Sequence, residues 1–451
     1  MLAMKLNRKE YFKKSLTIAW PAVLEFFFVS IAGIIDTFMV SSLGPAAIAA
    51  IGLTIQPKFI ALSTFFALNA AVSALIARRQ GEGKRDKANV TLTTALYIMV
   101  FFVILVDLVM VPFAGKILEL AGSNSETHKL AYDYYIIIML GLVFNALSML
   151  INAGHRGCGN TRIAFISNLV SSVVNICLNY LLINGRFGFP KMGVRGAALA
   201  TVLGTVVATV MCIISLFSKT SYMNFLTMAK NKFKFSLEIA GEIRNLAVNL
   251  FVENISARIG FMITAMTAAR LGTEAFAAHN VGMNLLSLSF SFGDGMQTAA
   301  IALTGNALGA NHKDEALKLG KSCQELGFIF SVIISLILIF FGRDIFSIFF
   351  DKNNILDMGV LISRFLTIIV LLQISQVIYG GCLRAAGDVK YTLGVALVSV
   401  TFIRSIVTLI CVNVLNLGLA GIWVGILSDQ ASRFISLRHR FNLGEWVHKK
   451  I

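Results

Sequence analysis

Charge is scarce in this chain of 451 residues: Asp, Glu, Lys and Arg make up 14% of it, against about 25% in soluble domains. The six cysteines are scattered. No CxxC pair and no adjoining His cluster is present, which removes a disulfide framework and a zinc site as organising devices. Paired-His, P-loop and nucleophile motifs are missing as well, so nothing supports an enzyme. No filter-like loop recurs, which argues against a channel.

What fills the space is apolar. Hydrophobic residues reach 57% and mean hydropathy +0.79, in long runs rather than periodic stripes. The stretch from Ala197 to Phe217 carries no charge and matches the roughly 20 residues a helix needs to cross about 30 Å of hydrocarbon. Similar runs place helices at 15–42, 46–77, 89–114, 130–154, 161–184, 196–217, 242–270, 275–306, 317–341, 359–383, 391–413 and 417–437. The first has a basic start and an apolar run too long for a cleaved signal peptide. The expected class is therefore an all-α integral membrane protein of twelve transmembrane helices.

The formal charge of +16 is accounted for by topology. With the N-terminus inside, the inner side collects most of the 39 Lys and Arg, including Lys5, Lys13, Arg79, Arg85, Arg156, Lys219, Arg384, Arg440 and Lys450. The positive-inside rule then puts both termini in the cytoplasm of a multi-pass plasma-membrane protein. Nucleic acid drops out as a partner, and the lipid bilayer takes its place.

The polar, basic interval Ser218–Gly241 reads as a membrane-surface segment dividing the chain into an N-lobe (1–217), a linker (218–241) and a C-lobe (242–451). Leu43-Gly44 with Ala47, Ala49 and Ala50 reappears as Leu271-Gly272 with Ala275, Ala277 and Ala278, an offset of 228 residues. The same offset aligns Asp86 with Asp314, Arg156 with Arg384 and Gly159 with Gly387. Six spans per half make the repeat parallel, two six-helix bundles related by an axis along the membrane normal, with substrate expected between them near mid-membrane.

Three features carry a resemblance to a known family: the first-helix pattern WPAVLEFFFVSIAGIIDTFMVSSLG, the pair ARRQGEGKRDKA and GNALGANHKDEA, and the paired turns HRGCGNTR and LRAAGDVK. Over nearly its whole length the chain resembles the multidrug and toxic compound extrusion (MATE) family. The resemblance implies a V-shaped, monomeric antiporter that couples influx of Na+ or H+, with no other cofactor, to export of small amphipathic, often cationic molecules.

Intramembrane acids are the candidates for the coupling chemistry. Glu25 and Asp36 on the first span are 11 residues apart, within roughly 20° on one helix face and about 16 Å in height. A carboxylate facing lipid would cost about 2.5–3.5 kcal/mol, so an interior or water-lined position is favoured, for cation binding or proton relay, with a packing carboxylate hydrogen-bonded to a neighbouring span as the alternative. Asn168, Asn175 and Asn179 form one stripe on the fifth span and can coordinate a cation, read substrate or act as interhelical glue. By resemblance Asp36 matches the family's N-lobe cation site. Some members carry an Asp where this chain has Asn179, which leaves Asp36 with Asn175 as a Na+ shell of carboxylate and amide oxygens.

In the C-lobe the offset carries Glu25 onto Glu253, which matches the seventh-helix acid of Na+-coupled members. Asn254 or a nearby hydroxyl would be its partner if its role were structural. The tenth-helix Asp of that branch is Gln373 here, so Asp294, with Gln297 nearby, is the candidate replacement charge. Lys58, Arg258 and Arg404 lie within spans and require counter-ions or water. Arg156 and Arg384 read as topological anchors or gate latches. The 35 Phe and 16 Met read as packing and lipid-facing residues that also suit a loose pocket. The competing function, a flippase for lipid-linked oligosaccharide or polysaccharide, would call for extra spans and a strongly cationic cavity.

Overall fold

The computed structural model describes residues 7–218, 221–350 and 353–449; Lys5, Lys219 and Lys450 lie outside the described residues. The described chain is helical, with no strand among the described residues. Its twelve long segments are α1 (Arg8–Ser41), α2 (Pro45–Gly81), α3 (Arg85–Met110), α4 (His128–Leu140 with Leu142–Gly157), α5 (Thr161–Leu182), α6 (Gly193–Leu216), α7 (Leu237–Arg270), α8 (Thr273–Gly309), α9 (Lys313–Ser347), α10 (Asn353–Ala385), α11 (Val389–Asn413) and α12 (Gly418–Leu443).

Among the described residues nine of these are long and apolar enough alone to cross a membrane, and the two parts of α4, bent by 47°, pass together. α8 and α12 are more polar, since they carry Asp294, Asp429 and Arg433. They take their place as spans from the repeat, α8 being the mate of α2. The 228-residue offset reproduces helix ends: Pro45–Gly81 becomes Thr273–Gly309, the start of α3 at Arg85 becomes that of α9 at Lys313, and the end of α4 at Gly157 becomes that of α10 at Ala385. Gly44 and Gly272 precede the paired helices α2 and α8 with φ of 96° and 104°, a region glycine enters without a Cβ penalty. Large apolar side chains such as Ile34, Phe38, Leu108 and Phe340 stand exposed along the helices, as contact with acyl chains requires.

The chain packs as two compact units whose boundaries fall inside helices, at Val23/Leu24 in α1 and at Ala247/Val248 in α7. In the unit from Leu24 to Ala247, α2 packs on α3 and α4, and α5 packs on α6. The linker belongs to this unit. Asn89 on α3 donates to Tyr222 O at 3.1 Å and accepts from Asn224 N at 2.9 Å, and Arg85 donates to Ser221 O at 2.7 Å. Asn224 in turn caps the short helix Phe225–Lys230 through Leu226 N, satisfying a terminal donor.

In the other unit α10 is the core helix, packed on α8, α9 and α12, while α11 pairs with α12. Two departures from straight α-helix matter. α4 breaks at Gly141, where a Cβ would collide with Val202 of α6. α11 contains a π-helical stretch, Leu397–Ile403, directly before Arg404, and α7 approaches it so closely that a Cβ on Gly260 would strike the Val400 carbonyl.

Candidate functional site

The acid stripe of α1 docks on the amide stripe of α5 in two rungs. Asn168 donates to Glu25 at 2.7 Å, and Asn179 donates to Asp36; both pairs are separated by 143 residues. The two helices therefore hold one register over the 11 residues, about 16 Å, between rungs. Asn175 completes the stripe by accepting from Asn179 at 3.3 Å and donating to Thr201 of α6 at 3.1 Å.

The rungs differ in their counter-charge. Glu25, 3% exposed, also accepts from Arg156 at 2.7 Å, so the turn arginine read as an anchor is an ion-pair partner. Asp36 is half-buried and lies within electrostatic reach of Lys58 on α2. Lys58 lines a cavity of about 30 Å³ with Asn145, Thr201 and Thr205.

The C-lobe repeats the Glu25–Arg156 ion pair. Arg384 donates to Glu253, and the pair is separated by 131 residues, as are Arg156 and Glu25. Thr392 of α11 donates to the second oxygen of Glu253 at 3.2 Å, so the nearby hydroxyl is the partner, and Asn254 makes no hydrogen bond to it. Arg384 also donates to Gln297 at 3.2 Å and lies within electrostatic reach of the half-buried Asp294. Glu253, Asp294 and Gln297 are thus gathered around one guanidinium. Gln373 stands apart: it is fully buried, donates to Leu286 O at 3.4 Å, and leaves Oε1 without a partner.

Sequence reasoning missed Asp429. It is fully buried on α12, pairs with Arg433 at 2.8 Å and stands 3.4 Å from Nε of the fully buried Arg404, whose guanidinium also lies 4.5 Å from the Phe261 ring. The i,i+4 spacing of Asp429 and Arg433 and the need of Arg404 for a counter-ion were the available signals. The offset places Asp429 on Thr201, so the hydroxyl that accepts from Asn175 in the N-lobe has a charged counterpart in the C-lobe.

The family model for MatE matches residues 21–181 and 250–410, one interval in each half. The probable multidrug resistance protein NorM of Thermotoga maritima is 25% identical over 445 residues, 98% of this chain and 94% of the relative. The uncharacterized transporter YisQ of Bacillus subtilis is 23% identical over 434 residues, 96% and 94% of the two chains. An outward-facing multidrug resistance MATE family transporter of the MOP superfamily superposes with a TM-score of 0.89 at 21% identity, covering 96% of this chain and 97% of the other. A MATE crystal structure in the bent conformation gives 0.87 at 22%, covering 97% of each. With the family match spanning both halves, two rungs of acid and amide in one lobe and a repeated acid–arginine pair in the other, the chain belongs to the MatE family.

Proposed function

We propose that the chain is a secondary active exporter that couples Na+ or H+ influx to efflux of small amphipathic, cationic molecules, acting as a monomer with both termini in the cytoplasm. The observation that carries this reading is the charge balance of the C-lobe site. Glu253 and Asp294 share Arg384 as their cation, which leaves one negative charge over within a membrane span. Such a charge is costly unless a cation or proton joins it. Because the joining ion is exchangeable, its affinity can differ between two conformations of the carrier, and that difference is what drives coupling. The NorM relatives are named for multidrug resistance, which supports amphipathic drugs as the substrate class. A flippase is disfavoured at this site, since a phosphate-bearing cargo needs surplus cations and around Arg384 the two acids Glu253 and Asp294 outnumber the one guanidinium.

The test is efflux of a fluorescent organic cation from everted vesicles, driven by a Na+ gradient and a pH gradient separately. One gradient is expected to drive transport in the wild type, and Glu253→Gln is expected to uncouple it. Efflux indifferent to both gradients, or wild-type coupling in Glu253→Gln, overturns the reading.

A further inference from the structure

The N-lobe site is built like a cation shell, and a side-chain cation, Lys58, lines the cavity beside it. Its oxygens are the Asp36 carboxylate, Oδ1 of Asn175, Oγ1 of Thr201 and Oδ1 of Asn179, a fully buried side chain whose Oδ1 has no hydrogen-bond partner. Such carboxylate and amide oxygens are hard ligands of the kind Na+ takes. From α2, Lys58 lies within electrostatic reach of that carboxylate. It lines the same 30 Å³ cavity that Thr201 lines, and there Asn145 also presents a buried Oδ1 without a partner. A cavity of that size accepts one or two waters or a single small cation, and no drug-sized molecule.

We propose that the Lys58 ammonium is the resident cation of the N-lobe: a tethered ion that neutralises Asp36 and keeps Na+ from the oxygen shell of Asn175, Asn179 and Thr201. The inference deepens the coupled-exporter reading and rests on it, because it assigns exchange with external Na+ to the C-lobe carboxylates. Asp36 with Lys58 carries no net charge, whereas Glu253 and Asp294 with Arg384 carry one negative charge. Na+ entering the N-lobe of the wild type would meet the ammonium of Lys58 across the cavity that Thr201 also lines. Removing that ammonium removes the repulsion, and the gain in Na+ affinity is roughly tenfold or more for charges a few ångströms apart at the polarity of a protein interior.

The experiment measures binding of radioactive Na+ to full-length purified protein in detergent, with no transport step. Wild type is expected to bind Na+ in a manner that Glu253→Gln abolishes. Adding Lys58→Met to Glu253→Gln is expected to create new Na+ binding, which Asp36→Asn then removes. Lys58→Gln, which keeps a polar group in the cavity, is expected to do the same if the methionine variant folds poorly, and Lys58→Arg is expected to create none. If neither Lys58→Met nor Lys58→Gln creates an Asp36-dependent site, while wild type keeps its Glu253-dependent one, the tethered-ion proposal is overturned and the coupled-exporter reading stands. If wild type binds no Na+ but Lys58→Met does, the proposal holds and Na+ coupling in the C-lobe fails.

Discussion

Replacing Arg384 by Met tests whether the C-lobe acids are held by one guanidinium. The substitution preserves much of the side-chain length but removes the hydrogen bonds to Glu253 and Gln297 and the charge facing Asp294. Breaking one partner out of a buried ion pair costs about 3–5 kcal/mol. With the Glu253 and Arg384 side chains 13% and 21% exposed, the lower end applies, about 3 kcal/mol. For a unit of about 200 residues this corresponds to a fall in Tm of roughly 6–12 °C. A thiol-reactive dye reads the transition, because Cys323 and Cys382 are free and buried in this unit. Two acids without a cation attract Na+ more strongly than before, so NaCl in place of choline chloride is expected to recover several degrees in Arg384→Met and less in wild type. Glu253→Gln combined with Arg384→Met is expected to regain about half of the loss or more, because the two side chains act as a pair. A Tm shift under about 2 °C, or a double variant no more stable than Arg384→Met, refutes the reasoning.

Asp36→Asn removes the acid within electrostatic reach of Lys58 and is expected to lower the amount of protein recovered from membranes; the charge-balanced Asp36→Asn/Lys58→Met protein should be recovered in larger amounts than Asp36→Asn alone. Asn89→Ala removes two bonds that hold the linker, each costing about 1–3 kcal/mol when a buried partner is left unmade; limited trypsin treatment is expected to cut at Lys230 and Lys232 faster than in wild type. Beyond the end of α2, burial pushes the Glu82 carboxyl up, but Lys84 and Arg79 bring it below its ordinary value overall. A lowered native pKa means that stability from this group is complete above about pH 4.5 and is lost as pH falls through the native value. Glu82→Gln should therefore flatten the acid limb of a Tm-against-pH curve and lower the neutral plateau.

Helix order and most helix ends were legible because the repeat marks them with backbone requirements. Gly44 and Gly272 sit where φ must be positive, and a requirement of that kind recurs at the same offset in both halves. The break at Gly141 was not legible: it depends on Val202, which approaches from a helix some 60 residues later in the chain, and no local pattern records such a contact. For the site, the intramembrane acids announced that partners exist without naming them. The i,i+11 stripes on α1 and α5 contained the two rungs, but their register of 143 residues is set by how the two helices pack. Asp429 was overlooked although 417–437 was read as a span, because its contact with Arg404 is made by the packing of α11 against α12 and no local pattern records it.

The π-helical turn before Arg404 implies an unusual tolerance to length. Such a turn holds one residue more than the α-helix that would span the same rise. Deleting a single residue from Leu397–Ile403 can therefore be absorbed by a return to regular α-helix that keeps the Arg404 guanidinium on Asp429, whereas the same deletion in the regular part of α11 before this stretch would swing everything beyond it by about 100°. A one-residue deletion, the lesion an ordinary transmembrane helix is least able to absorb, is the one this stretch can accommodate.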